Sequence, residues 1–253
     1  MQKQNGFTLV ELAVVMVIVG LLVGGVLKGQ AMIENARISA TIKQVNEISA
    51  ANDTFYGTYR AKPGDAPRAE NQIAGCVAPN CVSGDGDGRI ASDGRDSHSW
   101  ISNIVTSPFG SESVQFWKHL ALADIISGVD GSANPWAPTY GLTHLASKFG
   151  GGYEVYFDRS MVVGGGNQHS AMHVLRLNGD INGGRNGVVN TVIAQAIDTK
   201  MDDGDPNRGL VFADYGTVDN ECKDAGSGVG RDSFYDTANP NNTCVMFFKM
   251  FNR

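Results

Sequence analysis

The sequence has no surplus of positive charge. Lysine and arginine together number 20 against 26 aspartates and glutamates, and the formal net charge at pH 7 is −6. The phosphate backbone of nucleic acids is bound mainly through clustered lysine and arginine, so a chain with this balance lacks the broad basic surface that such binding needs. No nucleic-acid partner is therefore predicted.

The motifs of common enzyme and zinc sites are also missing from the sequence. The five histidines form no His-Glu-x-x-His array, and there is no Gly-x-Ser-x-Gly elbow. The glycine runs lack the spacing of a nucleotide-binding loop. No catalytic residue and no required cofactor is therefore assigned.

Cysteine is scarce, with four in 253 residues: Cys76, Cys81, Cys222 and Cys244. They form no Cys-x-x-Cys pairs and have no closely interleaved histidines, which are the usual spacings of zinc sites. An even number of cysteines, in a chain whose start suits export, predicts disulfides. Of the three pairings, proximity favours Cys76 with Cys81 and Cys222 with Cys244, because each closes a short loop.

One long apolar run occupies residues 7–27, where Thr8 and Glu11 are the only polar side chains. As a helix rising about 1.5 Å per residue it covers roughly 30 Å, the thickness of the hydrocarbon core of a bilayer. An ordinary secretory signal has a shorter apolar stretch, a more basic start than Lys3 alone and a small-residue cleavage site after it. The run predicts a membrane-spanning helix.

Glu11 is unusual within such a helix, because a carboxylate placed in hydrocarbon costs on the order of 3 kcal/mol. A positively charged partner in the membrane would compensate this cost. A free α-amino group at Phe7, produced by cleavage after Gly6, is a well-placed candidate for that partner.

Residues 6–11, which read Gly-Phe-Thr-Leu-Val-Glu, resemble the processing motif of type IV prepilins and type II secretion pseudopilins. The resemblance implies that a prepilin peptidase cuts between Gly6 and Phe7 and N-methylates Phe7. It also implies that Glu11 neutralises the terminal amine of a neighbouring subunit during assembly. The alternative is a plain membrane anchor that happens to contain Glu11. One departure is Lys28, which stands where many type IV pilins have a proline.

The helical periodicity continues beyond the apolar run. Apolar residues recur at steps of three, four or seven, which predicts an amphipathic helix continuing to about Tyr59, with polar residues such as Gln44 on its other faces. Pro63-Gly64 is expected to end it. The apolar stripe consists of Ile38, Ile42, Val45, Ile48, Phe55 and Tyr59.

The rest of the chain predicts a loop-rich head. A small antiparallel sheet packed on the long helix would give an α+β fold of the pilin-like kind. Short segments rich in β-branched or aromatic residues predict strands at 153–157, 172–177, 210–213 and 245–251, and helical patterns occupy 112–126 and 188–196.

The resemblance implies a structural subunit of a type IV pilus or a type II secretion filament. Such a subunit is held in the bacterial inner membrane with its head in the periplasm, and is then extracted into a periplasmic or extracellular filament. The implied partners are copies of itself and other pilin-like subunits, the prepilin peptidase, the inner-membrane assembly platform and, before assembly, the membrane. The expected regions are a leader at 1–6, an assembly helix at 7–27, its amphipathic continuation at 28–60 and a head at 61–253.

A function of another class is also open. The chain would then be a membrane-tethered or tip-located adhesin or binding protein that uses a pilin-like start only for export. The head motifs add one further resemblance, because residues 62–67 and 84–90 are similar to the Pro-Gly-Asp turn and the Gly-Asp-Gly loop of a subgroup of pilin-like proteins.

Residues 83–90 place oxygen ligands two positions apart around glycines, as the first part of a calcium loop does. Ser83 stands at the first position of such a loop, where an aspartate is preferred. Gly94 stands at the twelfth position, where calcium loops have a bidentate glutamate. The segment is either a structural calcium site, with Asp85, Asp87 and the nearby Asp93 as ligands, or a solvated acidic turn.

A second acidic cluster follows the second predicted short helix and holds Asp198, Asp202, Asp203 and Asp205. Pseudopilins, which the chain resembles, have calcium sites in C-terminal loops. This cluster is therefore a second candidate for structural calcium, with Asp202, Asp203 and Asp205 as ligands. The competing interpretation is a helix end followed by a turn.

Overall fold

The computed structural model describes residues 8–90, 112–158, 162–163, 167–168, 171–181, 186–215, 222–223, 234–238 and 244–250. These residues contain four helices and six strands. The helices are α1 Leu9–Tyr59, α2 Ala69–Gln72, α3 Glu112–Leu122 and α4 Thr191–Met201. The strands are β1 Gly152–Asp158, β2 Val162–Val163, β3 Asn167–Gln168, β4 Met172–Asn178, β5 Val211–Tyr215 and β6 Cys244–Met250.

Helix α1 is continuous over 51 residues, about 76 Å at 1.5 Å per residue. The predicted helix to about Tyr59 is confirmed. The end lies just before the expected stop at Pro63, because Arg60 adopts a left-handed conformation (φ 56°) and its N–H donates to the Tyr56 carbonyl. This is a common way for a helix to close its last turn.

The second half of α1 packs on the head. The buried positions include four residues of the predicted stripe, Ile38, Val45, Ile48 and Phe55. The prediction for Gln44 is wrong, because this side chain is also buried. Its Nε2 donates to the Ala146 carbonyl at 3.0 Å, and its Oε1 accepts from the Tyr153 hydroxyl at 3.3 Å. These two bonds satisfy a polar group that burial would otherwise penalise.

The main sheet has the strand order β1-β4-β6-β5, with every neighbouring pair antiparallel. The predicted small antiparallel sheet is confirmed. Because successive side chains alternate between faces, Tyr153, Leu175 and Phe248 join the core that also holds Ile48 and Phe55 of α1. The opposite face carries a second apolar cluster of Met172, Val174, Phe212, Val245 and Phe247.

The bounds of α4 differ from the predicted 188–196. The helix begins at Thr191 because the side chain of Asn190 accepts the Ile193 N–H at 2.9 Å and so caps the first turn. Val189 instead forms a bridge with Cys244 in β6. The helix therefore starts three residues later than predicted and continues to Met201.

Candidate functional site

Glu11 lies in the first turn of α1, where it forms a reciprocal pair with Thr8. The Glu11 N–H donates to Thr8 Oγ1 at 3.3 Å, and the Thr8 N–H and hydroxyl donate to Glu11 Oε2 at 2.9 Å and 2.8 Å. This arrangement is a capping box. The carboxylate therefore lies at the start of the helix, in the first turn after Thr8. Gly6 and Phe7, which precede Thr8 in the sequence, are outside the described residues.

The first half of α1 carries a continuous apolar surface. Every leucine, valine, isoleucine and methionine between positions 9 and 33 is exposed, by fractions that run from 47% at Val19 to 87% at Leu9. An 18-residue window of α1 has a mean hydropathy of 2.7, and none of it is buried against the head. An exposed apolar surface of this size marks contact with a membrane or with other protein chains.

The four cysteines form two disulfides in the structure, Cys76–Cys81 and Cys222–Cys244. These are the pairs that short loop length favoured. Cys76, Cys81 and His119 lie close together, as the ligands of a metal site do. Both sulfurs belong to the disulfide, however, so no thiolate is available there to bind zinc.

His119 joins two loops of the head through its ring. The Gly64 N–H donates to Nδ1 at 2.9 Å, so Nδ1 is the unprotonated nitrogen, and Nε2 then donates to the Val82 carbonyl at 3.0 Å. Burial lowers the pKa of His119 to about 4, although the bond to Val82 opposes this. The neutral ring therefore ties the turn that follows α1 to the loop that follows Cys81.

That connection brings four carboxylates together. Asp65, Asp85, Asp87 and Glu112 each offer an oxygen, and these oxygens all lie within 4.8 Å of one another. The sequence pattern predicted Asp85 and Asp87 as ligands, whereas Asp65 and Glu112 come from other parts of the chain and were missed. Asp93 lies outside the described residues.

Two glycines allow these segments to approach so closely. A Cβ on Gly84 would lie 2.4 Å from the Gly64 carbonyl oxygen and 2.5 Å from the Asp65 Cα. Gly64 has a φ of +86°, and a Cβ there would lie 2.2 Å from the Glu112 carbonyl oxygen. Both positions require glycine, because any side chain would push these backbones apart.

Backbone amides hold the carboxylates in place. The Gly88 N–H donates to Asp65 Oδ2 at 2.9 Å, and the Asp87 N–H donates to Asp85 Oδ1 at 2.9 Å. The Asp85 N–H donates to Glu112 Oε1 at 3.1 Å. Three backbone N–H groups of the loop at 83–90 thus donate to carboxylates of this acidic group.

The carboxyl group of Asp65 has a raised pKa. Burial raises its pKa to about 6, and the charges of Asp87 and Asp85 act in the same direction. The amides of Gly88 and Gly86 oppose the shift by favouring the ionised form. Asp65 also belongs to the lining of a groove between the last turns of α1 and the loop.

The second acidic group consists of Asp198, Asp202 and Asp203. Asp198 is fully buried, and each of its oxygens has a donor: the Tyr235 hydroxyl at 2.8 Å from Oδ2 and the Gly204 N–H at 3.3 Å from Oδ1. Burial is the main reason that the pKa of Asp198 is raised to about 7. Asp198 is therefore already satisfied by the protein.

Asp205, which was predicted as a ligand with Asp202 and Asp203, is not a member of this group. Its Oδ1 accepts the Asn207 N–H at 2.9 Å, and its Oδ2 lies 3.4 Å from Arg208 Nε. These contacts are those of a turn that follows a helix end.

One comparison with known proteins gives a match. Residues 1–27 match the family described as the prokaryotic N-terminal methylation motif, which is the type IV pilin and pseudopilin signal. No curated protein and no solved structure gives a significant match. The matched segment indicates a type IV pilin-like substrate of prepilin peptidase, and it favours a structural role over an enzymatic one.

Proposed function

We propose that this chain is a structural subunit of a type IV pilus or of a type II secretion filament, polymerised through its N-terminal helix. The observation that carries the proposal is the conjunction of the methylation motif at residues 1–27 with the exposed apolar half of α1. The head buries only the second half of that helix. The first half is left for lipid or for the helices of other subunits.

The membrane is the first environment of this apolar half. Residues 7–27 are long enough to cross the hydrocarbon core as a helix, with the head at 61–253 in the periplasm. In the filament, other copies and other pilin-like subunits replace lipid around the same side chains. Because both environments are apolar, the transfer costs little hydrophobic free energy.

Processing removes residues 1–6. The peptidase cuts between Gly6 and Phe7, and Phe7 becomes the methylated N-terminus. In the sequence, the new terminus is one residue before the capping residue Thr8. A carboxylate is the natural partner for an amine in hydrocarbon, because the low dielectric strengthens an ion pair.

Glu11 supplies that carboxylate to a neighbouring subunit. The match covers Glu11 within residues 1–27, and the structure places its side chain at the N-terminal end of α1. An inner-membrane platform then extracts the processed chain into the filament, with the apolar helices in the interior and the heads outside. Residues 28–60 connect the apolar helix in the filament interior to the head on the outside.

The proposal can be tested in bacteria that contain a prepilin peptidase and an assembly platform. The full precursor and its Glu11→Leu variant are expressed at equal levels, and filaments are collected both by shearing from the cell surface and by release from the periplasm. We expect the wild-type chain in one of these filament fractions and the variant in the membrane fraction. A wild-type chain that is processed but found in neither filament fraction would support a tethered binding protein instead.

A further inference from the structure

The acidic group of Asp65, Asp85, Asp87 and Glu112 has no part in the assembly role described above. Its members come from three segments: the turn after α1, the loop at 83–90 and the first turn of α3. Asp65 and Glu112 are buried, whereas Asp85 and Asp87 are exposed. The group therefore reaches from the surface into the head.

Asp65 gives independent evidence that this group binds a ligand. The residue is only 2% exposed, and its Oδ2 is held by the Gly88 amide. Its other oxygen, Oδ1, is buried and has no hydrogen-bond partner. Buried carboxylate oxygens are normally paired, because an unpaired one loses its hydration without compensation. A bound cation would supply the missing partner.

The nearby protein cation does not fill this role. The Lys62 ammonium donates to the Gly88 carbonyl at 2.6 Å, and it contributes one positive charge beside four acidic side chains. Repulsion among carboxylates this close raises the free energy of the loop unless a cation of higher charge is present. The excess of negative charge favours a divalent ion.

The ligand chemistry selects the ion. The four residues offer only oxygen atoms, which suit the hard cations Ca²⁺ and Mg²⁺ better than zinc or copper. Mg²⁺ demands near-ideal octahedral geometry and keeps several of its waters, so it is usually bound through one or two carboxylates rather than through four. Calcium accepts six to eight oxygens in flexible geometry, and loop carbonyls and waters complete such sets.

We propose that Asp65, Asp85, Asp87 and Glu112 bind one calcium ion, which joins the end of α1 to the loop at 83–90 and to α3. His119 already links the first two of these segments through Gly64 and Val82. The ion connects the third segment, α3, to these two, and it neutralises negative charge that the protein alone leaves uncompensated. The second acidic group lacks this feature, because both oxygens of Asp198 have donors.

The first measurement is calcium binding to the full chain in detergent, by titration calorimetry and by thermal melting. At calcium one hundred times the dissociation constant, the melting midpoint should rise by about 5 to 10 °C over that in chelator. Magnesium at the same concentration should raise it less. An equal midpoint in millimolar calcium and in chelator would overturn the proposal.

Two substitutions locate the site. Asp65→Asn keeps an oxygen for the Gly88 amide but loses the charge, and Asp87→Asn makes the same change at an exposed position. Each should weaken calcium binding at least about tenfold, because calcium affinity depends on the number of charged ligands. The exposed variant keeps the test valid if Asp65→Asn fails to fold.

Asp124→Asn is the matched control, because Asp124 is exposed and lies outside both acidic groups. Its φ of 56° is a conformation that asparagine also tolerates. Its calcium affinity should equal that of the wild type. If Asp124→Asn weakened binding as much as Asp87→Asn, the ion would be held by general surface charge only. If Asp203→Asn alone abolished binding, the site would be the second acidic group. Either result would overturn the assignment.

Discussion

Glu11 accepts two hydrogen bonds from Thr8, one from the backbone N–H at 2.9 Å and one from the hydroxyl at 2.8 Å. The carboxylate thus has a partner within its own chain. Pairing with the amine of a neighbouring subunit requires Glu11 to share or leave this capping box, which is worth about 1 kcal/mol. An ion pair in a low-dielectric interior is strong enough to compete with it.

The charge of Glu11 can be separated from its capping role by Glu11→Gln. Glutamine also completes a capping box, so the contacts with Thr8 can remain while the negative charge is lost. We expect membrane insertion and cleavage as in the wild type, but at least about tenfold less chain in surface or periplasmic filaments, because the neighbouring amine has no counter-charge in hydrocarbon. Immunoblots of the filament and membrane fractions give the ratio.

The opposite result is equally informative. If Glu11→Gln formed filaments at wild-type abundance while Glu11→Leu formed none, Glu11 would serve to cap the helix rather than to pair with a neighbouring amine.

Gly84→Ala should destabilise the head. A Cβ at this position would lie 2.4 Å from the Gly64 carbonyl oxygen, and the backbones can separate only at the expense of the buried contacts around Asp65. We expect a loss of about 1–3 kcal/mol in the free energy of unfolding. Denaturant titration followed by the fluorescence of tryptophans, including the buried Trp117, measures it.

Gly57→Ala is the control, because Gly57 lies in α1 with open space where the Cβ would stand. Alanine should stabilise that helix by up to about 1 kcal/mol. Equal effects of the two substitutions would contradict the close approach at Gly84.

Removal of each of the two disulfides should lower the free energy of unfolding by a different amount. The Cys76–Cys81 bond closes a loop with a sequence separation of 5, and the Cys222–Cys244 bond closes one of 22. On the loop-entropy relation, replacing each pair by alanine should cost about 2 and about 3 kcal/mol, respectively. Denaturant titration of the two double variants tests the order. A larger loss for the Cys76 and Cys81 variant would contradict it.

His119 should make the head sensitive to acid. Burial lowers its folded-state pKa to about 4, below the ordinary value of 6.5. The folded protein therefore binds fewer protons than the unfolded chain between these values. This contribution to stability is complete above pH 6.5, and it is lost as the pH falls towards 4.

The His119→Gln variant isolates this effect, because all other titrating groups are shared with the wild type. Between pH 6.5 and pH 5, wild type should lose about 2 kcal/mol relative to the variant. Denaturant titrations of both proteins at the two values measure the difference. A difference that does not change with pH would show that the His119 ring takes up its proton as readily in the folded protein as in the unfolded chain, and would contradict the lowered pKa.

The sequence predicted those elements that depend on local periodicity. The apolar run and the stripe from Ile38 to Phe55 recur at helical spacing, so α1 was predicted to its last turn. The strands β1, β4, β5 and β6 are short segments of β-branched and aromatic residues, and each was predicted to within about two residues at either end. The start of α4 was missed although Asn190 is a typical capping residue.

Features that depend on tertiary contacts were not predictable in the same way. Gln44 is polar, and its burial follows only from its position opposite Tyr153 and Ala146. Asp85 and Glu112 are 27 positions apart, and no spacing rule connects them. Only Asp85 and Asp87 of the acidic group lie within one local motif, which is why half of that group was found from the sequence.

The identity of the mature N-terminus shows most directly whether the chain is processed as a prepilin. The full precursor is coexpressed with a prepilin peptidase, and the mass of the N-terminal peptide is measured together with a Gly6→Leu variant as an uncleaved control. The wild-type chain should begin at Phe7 and carry one methyl group on its amine. A chain that is left uncut, or is cut at another bond, would contradict this processing.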